Sequence, residues 1–259
     1  MIQNAFAAYH KQQAKSDIMP LSMCVAMSQG YIGYDLQNMI GEELDRRGLG
    51  IHCATVLTQV AVDPADPAFQ HPTKPIGAFM TEEEAKKLAA EKGIDVAEDA
   101  GRGWRQVVAS PRPKEIVEIA TVKALMNAKH AVIAAGGGGI PVVWEDKYHL
   151  KGVPAVIDKD FASECMAEQL DADMLIILTA VEKVAINFGK PDQKNLDELT
   201  PEEARKYMAE GQFAPGSMLP KVEAAVKFAE SKPGRTALIT LLEKAKDGIE
   251  GKTGTAIHL

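Results

Sequence analysis

The stretch AVIAAGGGGIPVV, from Ala131 to Val143, decides both the fold class and the place where a ligand would bind. The apolar run up to Ala135 predicts a strand, four glycines follow it, and Ile140 to Val143 has the character of extended chain. Ligands of open α/β sheets bind at the carboxyl ends of the strands, and glycines there let backbone N–H groups approach an anion. The stretch therefore predicts an anion site in an α/β protein.

The glycine run itself, Gly136, Gly137, Gly138 and Gly139, has two other interpretations. A nicotinamide cofactor would require G-x-G-x-x-G at the start of a helix, whereas extended chain follows these glycines. A flexible turn is the second alternative, and the run alone does not exclude it. The other loops of the chain are needed to distinguish a flexible turn from a binding site.

A second loop, AVIDKDFASE from Ala155 to Glu164, places Lys159 between Asp158 and Asp160 where a predicted strand meets a predicted helix. In the simplest interpretation, Asp160 caps that helix. This leaves the lysine unexplained, because a cation at a helix N-terminus opposes the helix macrodipole unless an anion also binds there.

A third loop, FAPGSMLPKVEAA from Phe213 to Ala225, repeats this pattern. Ser217 or a neighbour would cap the helix, and Lys221 lies in its first turn, where its charge is again unfavourable. Two helix starts with such lysines predict one shared phosphate, and they favour phosphoryl chemistry.

Three other groups of residues have weaker claims. Lys74 lies on a stiff, proline-rich loop that would deliver its charge to a fixed place, although an isolated surface lysine is the alternative. A structural cluster of ion pairs and cation–π contacts is the favoured interpretation for Asp99, Arg102, Trp104 and Arg105. Core packing is the favoured interpretation for the methionines at roughly helical spacing, which are Met19, Met23, Met27 and Met39.

Composition limits the class of protein. With 259 residues, 46% of them hydrophobic, the chain can bury the core of one large α/β domain or of a domain with a lid. A formal charge of −7 without a run of Lys and Arg argues against nucleic acid or a membrane surface as partner, because both are anionic. Three scattered cysteines predict neither a disulfide framework nor a zinc site, and they indicate a reducing, cytoplasmic compartment.

The pattern along the first half predicts helices over Ile2–Ala14 and Ser22–Arg47, followed by an interior strand within Ile51–Val62. From about Asp66 to Pro113 the chain is expected to leave the main sheet. Within this segment Thr81 to Glu84 forms a capping box that opens a helix, and a glycine closes it.

The second half alternates predicted helices and strands, which is typical of a mainly parallel sheet with helices on both faces. The predicted helices are 114–129, 161–170, 201–210 and 219–231, and the predicted strands are 131–135, 153–157, 174–179, 236–240 and a short one near Thr255.

Together with four other stretches, the three loops closely resemble those of the carbamate kinases, which are members of the amino-acid-kinase superfamily. The other stretches are CVAMSQGYIGYDL (24–36), TQVAVDPADPAF (58–69), HPTKPIG (71–77) and DAGRGWRQVVASPRP (99–113). The resemblance covers nearly all of the chain. It implies a three-layer αβα sandwich over residues 1–259 with a protruding lid subdomain, residues 66–113, inserted within it.

The resemblance also implies an activity: reversible phosphoryl transfer between ATP and carbamate, giving ADP and carbamoyl phosphate, run chiefly toward ATP in arginine catabolism. It implies a cytoplasmic homodimer that uses Mg²⁺ bound with the nucleotide. The catalytic residues implied are Lys159, Lys74 and Asp160; the residues implied to line the substrate pocket are Gly136 to Gly139. Those implied to bind nucleotide are Lys221, Ala214, Pro215, Gly216, Ser217 and Met218, beside LTAVEKVAINFGKPD (178–192).

One departure from the family pattern leaves two alternatives open. Carbamate kinases open with a strand and two glycine-rich loops that this sequence lacks before Met1. If the natural product starts upstream, with Met1 an internal methionine, an active kinase is expected. If the chain is shortened, the first alternative is a non-catalytic homologue that binds nucleotide or pairs with an intact subunit. The second is a related amino-acid kinase that acts on a carboxylate such as acetylglutamate, against which the Arg-Gly-Trp-Arg block at 102–105 argues.

Overall fold

The structure is a computed structural model, and it describes residues 19–99 and 101–259. The helix predicted over Ile2–Ala14 lies outside the described residues. The chain divides into two compact units, one that runs up to Ala162 and one that runs from Ser163 to Leu259.

The described residues form seven α-helices and fifteen β-strands. The helices are α1 (Leu21–Arg46), α2 (Glu82–Lys92), α3 (Ile119–Asn127), α4 (Lys159–Gln169), α5 (Pro201–Ala209), α6 (Met218–Ser231) and α7 (Ala245–Ile249). The strands are β1 (Cys53–Thr55), β2 (Gln59–Val62), β3 (Lys74–Met80), β4 (Val96–Glu98), β5 (Trp104–Val108), β6 (Pro113–Ile116), β7 (Ala131–Ile133), β8 (Ile140–Trp144), β9 (Leu150–Gly152), β10 (Met174–Thr179), β11 (Ala185–Ile186), β12 (Lys194–Asn195), β13 (Glu198–Leu199), β14 (Thr236–Leu241) and β15 (Thr255–Ile257). Single 3₁₀ turns span Pro67–Phe69, Gly136–Gly138 and Leu242–Lys244.

In the first unit, the glycine run connects β7 to β8, and each of these strands belongs to a parallel pair. β1 pairs with β7, and β2 pairs with β8 in a sheet of order β6-β2-β8-β9. The predicted interior strand is thus two short strands, since Ile51–Val62 breaks between β1 and β2. Helix α1 packs on β1, β7 and β8, and its Gly33 has no room for a Cβ because Thr55 Cγ2 would lie 2.3 Å away. Helix α1 therefore fixes the position of the connection from β7 to β8, which contains the glycine run.

The segment between β2 and β6 forms a small sheet of its own, with order β3-β5-β4. The predicted capping box is confirmed, because the Thr81 hydroxyl accepts from Glu84 N–H and the Glu84 carboxylate accepts from Thr81 N–H. Gly93 ends the helix in the left-handed conformation, as predicted. The chain enters this small sheet at β3, which begins at Lys74.

The predicted ion pairs of the arginine cluster in this segment are confirmed. Asp99 accepts from Arg102 at 2.8 Å and from Arg105 at 3.1 Å. Both guanidinium groups also lie over one aromatic ring, at 5.2 Å and 5.1 Å from its centroid, but the ring belongs to Phe79 and not to Trp104.

Two predicted elements near the site differ in the structure. Residues 114–116 belong to strand β6, because they pair with β2, so helix α3 begins only at Ile119. The run 153–157 is not a strand: apart from a single bridge between Ala109 and Ala155, it forms no ladder. Ala155 and Ile157 of this run are nevertheless buried, and a buried loop has the same hydrophobicity pattern as a buried strand.

Helix α1 exposes much of its apolar surface, so the prediction that its methionines form core was wrong. Met23 is 51% exposed and Met39 is 70% exposed, and the side chains of Tyr31 and Tyr34 are exposed as well. The helix contacts the sheet instead through small and polar residues, among them the buried Gln29 and Gly33. Met23, Met27, Tyr31 and Tyr34 form an exposed apolar stripe on α1, and this stripe faces away from the core of the first unit.

In the second unit, the parallel pair β10–β14 forms the centre of a sheet of order β10-β14-β15-β13. Helix α6 packs on this pair with its buried residues Val222, Ala225, Phe228 and Ala229. Both β10 and β14 end at the same edge, at Thr179 and Leu241. That edge is the place where α/β proteins bind ligands.

A buried carboxyl group, Glu164, lies in the second unit beside Lys227 and Glu168. Its side chain is 1% exposed, and Lys227 Nζ donates to Glu164 Oε2 at 2.7 Å. Burial, and then the neighbouring Glu168 carboxyl, raise the pKa of Glu164 to about 7, and the bond from Lys227 only partly opposes them. The folded protein thus keeps a proton on this carboxyl at pH values where the unfolded chain releases it.

Stability is therefore expected to depend on Glu164 between pH 4.5 and 7. The unfolded carboxyl ionises near its ordinary pKa of 4.5, so the free energy of unfolding should fall as the pH rises from there to about 7. By the pKa difference, the loss amounts to about 3 kcal/mol. Glu164→Gln should flatten this part of the profile, measured by urea unfolding at pH 4.5 and 7.5. An unchanged slope in the variant would contradict the assignment.

Candidate active site

The loop Asp158-Lys159-Asp160 starts helix α4, but its capping residue is not the predicted one. The Asp158 carbonyl accepts the first helical bond, from Ala162 N–H, and Asp158 Oδ1 accepts from Asp160 N–H at 2.9 Å. Asp158 is thus the cap, and Asp160 lies in the first turn with its side chain only 7% exposed. Lys159 Nζ lies 3.8 Å from Asp160 Oδ2, and the lysine side chain is 65% exposed. The helix start therefore directs an ammonium group into open space.

Lys74 reaches this same helix start from β3. Its Nζ donates to Asp158 Oδ2 at 2.7 Å, and both side chains are mostly buried, at 28% and 12% exposed. Burial tends to raise the pKa of Asp158, but the bond from Lys74, the Asp160 N–H and the charges of Lys74 and Lys159 outweigh it and hold the pKa below its ordinary value of 3.8. The structure thus brings Lys74, Asp158, Lys159 and Asp160 together in one cluster.

The ion pair is expected to stabilise the protein only above the acid range. A carboxyl whose pKa is lowered by folding contributes stability above its unfolded pKa and loses it as the pH falls through the folded value. Asp158→Asn should therefore lower the free energy of unfolding at pH 7 by about 1–3 kcal/mol, the usual worth of bonds to charged groups. The difference from wild type should shrink below pH 4. Urea unfolding at pH 7 and pH 3 measures it, and an equal deficit at both pH values would contradict the explanation.

The glycine run forms a tight, hydrogen-bonded turn. Gly138 N–H donates to the Ala135 carbonyl at 2.9 Å, and Gly139 N–H donates to the Gly136 carbonyl at 3.2 Å. Ala135 and the last three glycines have positive φ, and Ala135 does so at a cost of about 1–2 kcal/mol. The N–H groups of Gly136 and Gly137 take no part in closing the turn, and a Cβ at Gly137 would meet nothing within 4 Å. The turn therefore presents backbone N–H groups at an open surface.

The turn also lies directly against the Asp158 loop. A Cβ on Gly138 would lie 2.2 Å from the Ile157 carbonyl oxygen and 3.4 Å from Lys159 N, and one on Gly139 would lie 2.1 Å from Val60 Cγ2. Gly138 and Gly139 are thus required by close contact, whereas Gly137 faces open space. The predicted glycine loop and the predicted lysine loop are neighbours in the first unit.

The second unit carries a cavity of 390 Å³ at the predicted nucleotide loops. Ala214, Ser217 and Met218 line it, whereas Pro215, Gly216 and Lys221 are not among its lining residues. The other lining residues are Thr179, Ala180, Val181, Lys183, Ala185, Asn187, Phe188, Lys190, Gly211, Gln212 and Phe213. A second cavity, of 370 Å³, shares Thr179 and Ala180 and lies at the ends of β10 and β14. The stretch 178–192 and the loop before α6 therefore form one pocket region.

The aromatic ring of Phe188, 65% exposed, is available at this pocket. The loop that carries it is fixed by Gln212, whose Oε1 accepts from Asn187 N–H at 2.9 Å, and by a bond from Asn187 Nδ2 to Asp192 at 2.8 Å. Helix α6 begins at Met218 with Ser217 at the capping position, but the Ser217 side chain makes no capping bond. Ser217 thus stands at the predicted capping position but does not cap the helix through its side chain, and Lys221 lies in the first turn.

The sequence did not predict the roles of three residues of the first unit. Asp158 is both cap and ion-pair partner, and the buried Gln29 and Thr58 bond to the glycine turn. In the sequence, a glutamine in a helix and a threonine in a β-rich run carry no signal of such contacts. No group of three or more His, Cys, Asp and Glu side chains suited to hold a metal ion occurs within residues 19–99 and 101–259.

The comparison with known families defines the class of protein. The model of the amino acid kinase family matches residues 52–240, which include the glycine turn, the Asp158 loop and most of the second unit. The chain therefore belongs to the amino acid kinase family, and its relatives place it among the carbamate kinases.

Those relatives match almost the whole chain. A carbamate kinase-like protein, YqeA, of Escherichia coli is 61% identical over 99% of this chain and 82% of its own length. The carbamate kinase of Clostridium perfringens is 56% identical over 96% of this chain and 79% of its own. The structure of Giardia lamblia carbamate kinase bound to AMP-PNP superposes with a TM-score of 0.86 at 45% identity, covering 100% of this chain and 79% of that chain. The predicted α/β class and amino-acid-kinase fold are confirmed.

Among the described residues, no helix is long and apolar enough to span a membrane.

Proposed function

We propose that this protein is a carbamate kinase that transfers a phosphoryl group reversibly between ATP and carbamate, giving ADP and carbamoyl phosphate. The observation that carries the proposal is the cluster of Lys74, Asp158 and Lys159 against a hydrogen-bonded glycine turn in a chain 56% identical to a carbamate kinase. The proposed direction is chiefly toward ATP, in the breakdown of arginine.

In this proposal, the residues of the first unit neutralise and position the phosphoryl group. Phosphoryl transfer needs in-line positioning and charge neutralisation more than a covalent catalyst. The exposed ammonium of Lys159 would contact the phosphoryl group during its transfer, and Asp160 beside it would restrict the orientation of the lysine. Lys74 would contact carbamoyl phosphate, while N–H groups of the turn Gly136–Gly139 would bind its oxygens.

The second unit would bind the nucleotide in its 390 Å³ cavity, with Phe188 against the base and Ala214 to Met218 beside it. Lys221, in the first turn of α6, would attract the nucleotide phosphates. Mg²⁺ would arrive as part of the nucleotide substrate, because this ion prefers phosphate oxygens and water to an all-protein site.

We further propose a homodimer in the cytoplasm. The exposed apolar stripe of α1, with Met23, Met27, Tyr31 and Tyr34, offers a surface for a second copy. The three cysteines are free thiols, a state that a reducing compartment maintains. Sedimentation analysis of wild type and a Tyr31→Glu variant tests the dimer, since a charge in the stripe should shift the equilibrium toward monomer.

The activity is tested by mixing the purified protein with ADP, Mg²⁺ and fresh carbamoyl phosphate and measuring ATP with a coupled enzyme. A protein-free sample corrects for spontaneous decay of carbamoyl phosphate. ATP formation supports the proposal. Tight ADP binding in calorimetry without turnover would instead support a non-catalytic homologue, and phosphorylation of acetylglutamate but not carbamate would support a related amino-acid kinase.

A further inference from the structure

Two buried side chains of the first unit, Gln29 and Thr58, converge on the glycine turn. Gln29 is 4% exposed and Thr58 is 0% exposed. Gln29 comes from α1 and Thr58 from the break between β1 and β2, so the turn is held by residues far away in sequence. Neither side chain is among the groups proposed to touch substrate.

Thr58 ties together both ends of the turn. Its hydroxyl accepts from Ala135 N–H at 2.9 Å and donates to the Val56 carbonyl at 2.8 Å. Its carbonyl accepts from Ile140 N–H at 2.8 Å. The residue before the glycines and the residue after them are therefore bonded to the same amino acid.

Gln29 holds the middle of the turn and Thr58 at once. Its Nε2 donates to the Gly136 carbonyl at 3.0 Å and to the Thr58 carbonyl at 3.2 Å, and its Oε1 accepts from Thr58 N–H at 2.8 Å. Both amide hydrogens are used, so the orientation of the Gly136 peptide is fixed by a fully satisfied buried amide. The Cβ and Cγ of Gln29 also pack against Gly136, at 3.9 Å and 3.3 Å from the place of an added Cβ.

We propose that Gln29 and Thr58 are positioning residues that set the conformation of the glycine turn, and thereby the affinity for the phosphoryl-bearing substrate. The inference rests on the proposed function of the turn. The left-handed Ala135 needs such support, because without its bond to the Thr58 hydroxyl the costly conformation has less to stabilise it. A misplaced turn would weaken binding of carbamoyl phosphate without touching the nucleotide pocket.

Kinetics of matched variants tests the proposal. Thr58→Val keeps the shape but removes the hydroxyl, Thr58→Ser restores it, and Gln29→Leu removes all three hydrogen bonds of the amide. For Thr58→Val and Gln29→Leu we expect a KM for carbamoyl phosphate raised about 10-fold or more, since small misplacements are costly in binding sites, with the KM for ADP unchanged. Thr58→Ser should stay near wild type. Equal changes in both KM values, or no rescue by serine, would overturn the proposal.

Gln37→Leu is the control for a purely structural loss. Gln37 also lies on α1, and its Oε1 accepts from Thr55 N–H at 2.7 Å, but it makes no bond to the glycine turn. This variant should lose stability without changing the KM for carbamoyl phosphate. If it raises that KM as much as Gln29→Leu does, the effect is general loosening of α1, and the proposal fails.

Hydrogen exchange separates this proposal from the proposed function. In Thr58→Val the amide of Ala135 loses its acceptor, so its exchange should accelerate about 10-fold or more relative to wild type and to Thr58→Ser, in step with the lost protection. This measurement needs no activity. An inactive wild-type protein would contradict the proposed function alone, whereas unchanged exchange at Ala135 would contradict the positioning role. If Gln29→Leu does not fold, Gln29→Asn replaces it, because asparagine keeps the amide on a shorter side chain.

Discussion

Lys159→Ala is expected to lower kcat for ATP formation at least about 100-fold, the usual loss when one charge-stabilising group is removed from a transition state. The Lys159 side chain is 65% exposed and its nearest carboxylate oxygen is 3.8 Å away, so removing it costs the fold little. Thermal unfolding should therefore stay within a few degrees of wild type. The measurement is kcat with saturating ADP and carbamoyl phosphate, together with a melting curve.

Lys123→Ala is the matched control, because Lys123 is an exposed lysine on α3, outside the cluster. It should keep wild-type activity, which shows that net charge alone does not explain the loss. A folded Lys159→Ala protein with normal turnover would remove Lys159 from the catalytic site.

Gly138→Ala is expected to destabilise the first unit by roughly 3 kcal/mol or more, through a forced shift of backbone against backbone. The added Cβ would lie 2.2 Å from the Ile157 carbonyl oxygen, and φ at this residue is +105°. Neither contact partner is a flexible side chain that can move aside. Since Lys159 N lies only 3.4 Å from the same Cβ position, activity should fall as well.

Gly137→Ala separates contact from backbone conformation. Gly137 also has positive φ, at +71°, but its added Cβ would meet nothing within 4 Å. The expected loss is therefore only about 1 kcal/mol, the cost of a left-handed alanine. Urea unfolding of both variants measures the difference, and equal losses would show that the close packing of Gly138 on Ile157 is unimportant.

The sequence predicted the elements whose signals are local. The capping box at Thr81, strand β10 and the extended segment after the glycines were all predicted, because capping and strand patterns are written within a few residues. The resemblance to a family predicted the fold, which the comparisons confirm. The roles of the individual site residues stay predictions until they are measured.

What the sequence did not predict depends on contacts between distant residues. Residues 114–116 have a helical pattern but pair with β2, more than 50 positions earlier. Asp158 and Asp160 are equally good caps by type, and the start of α4 at Lys159 selects the first. The bond from Gln29 to Gly136 joins residues 107 positions apart, a distance that no local pattern encodes.

The pairing of Lys74 with Asp158 has a consequence for how the protein would take up and release an anion. The Lys74 ammonium has three N–H donors, and it gives one of them to Asp158 Oδ2 at 2.7 Å. An anion that binds the other donors would meet a lysine whose charge is already partly neutralised by this carboxylate, so the net gain from the new contact would be small. The carboxylate would also hold the lysine in one position before an anion arrives, so that little side-chain entropy would be lost on binding.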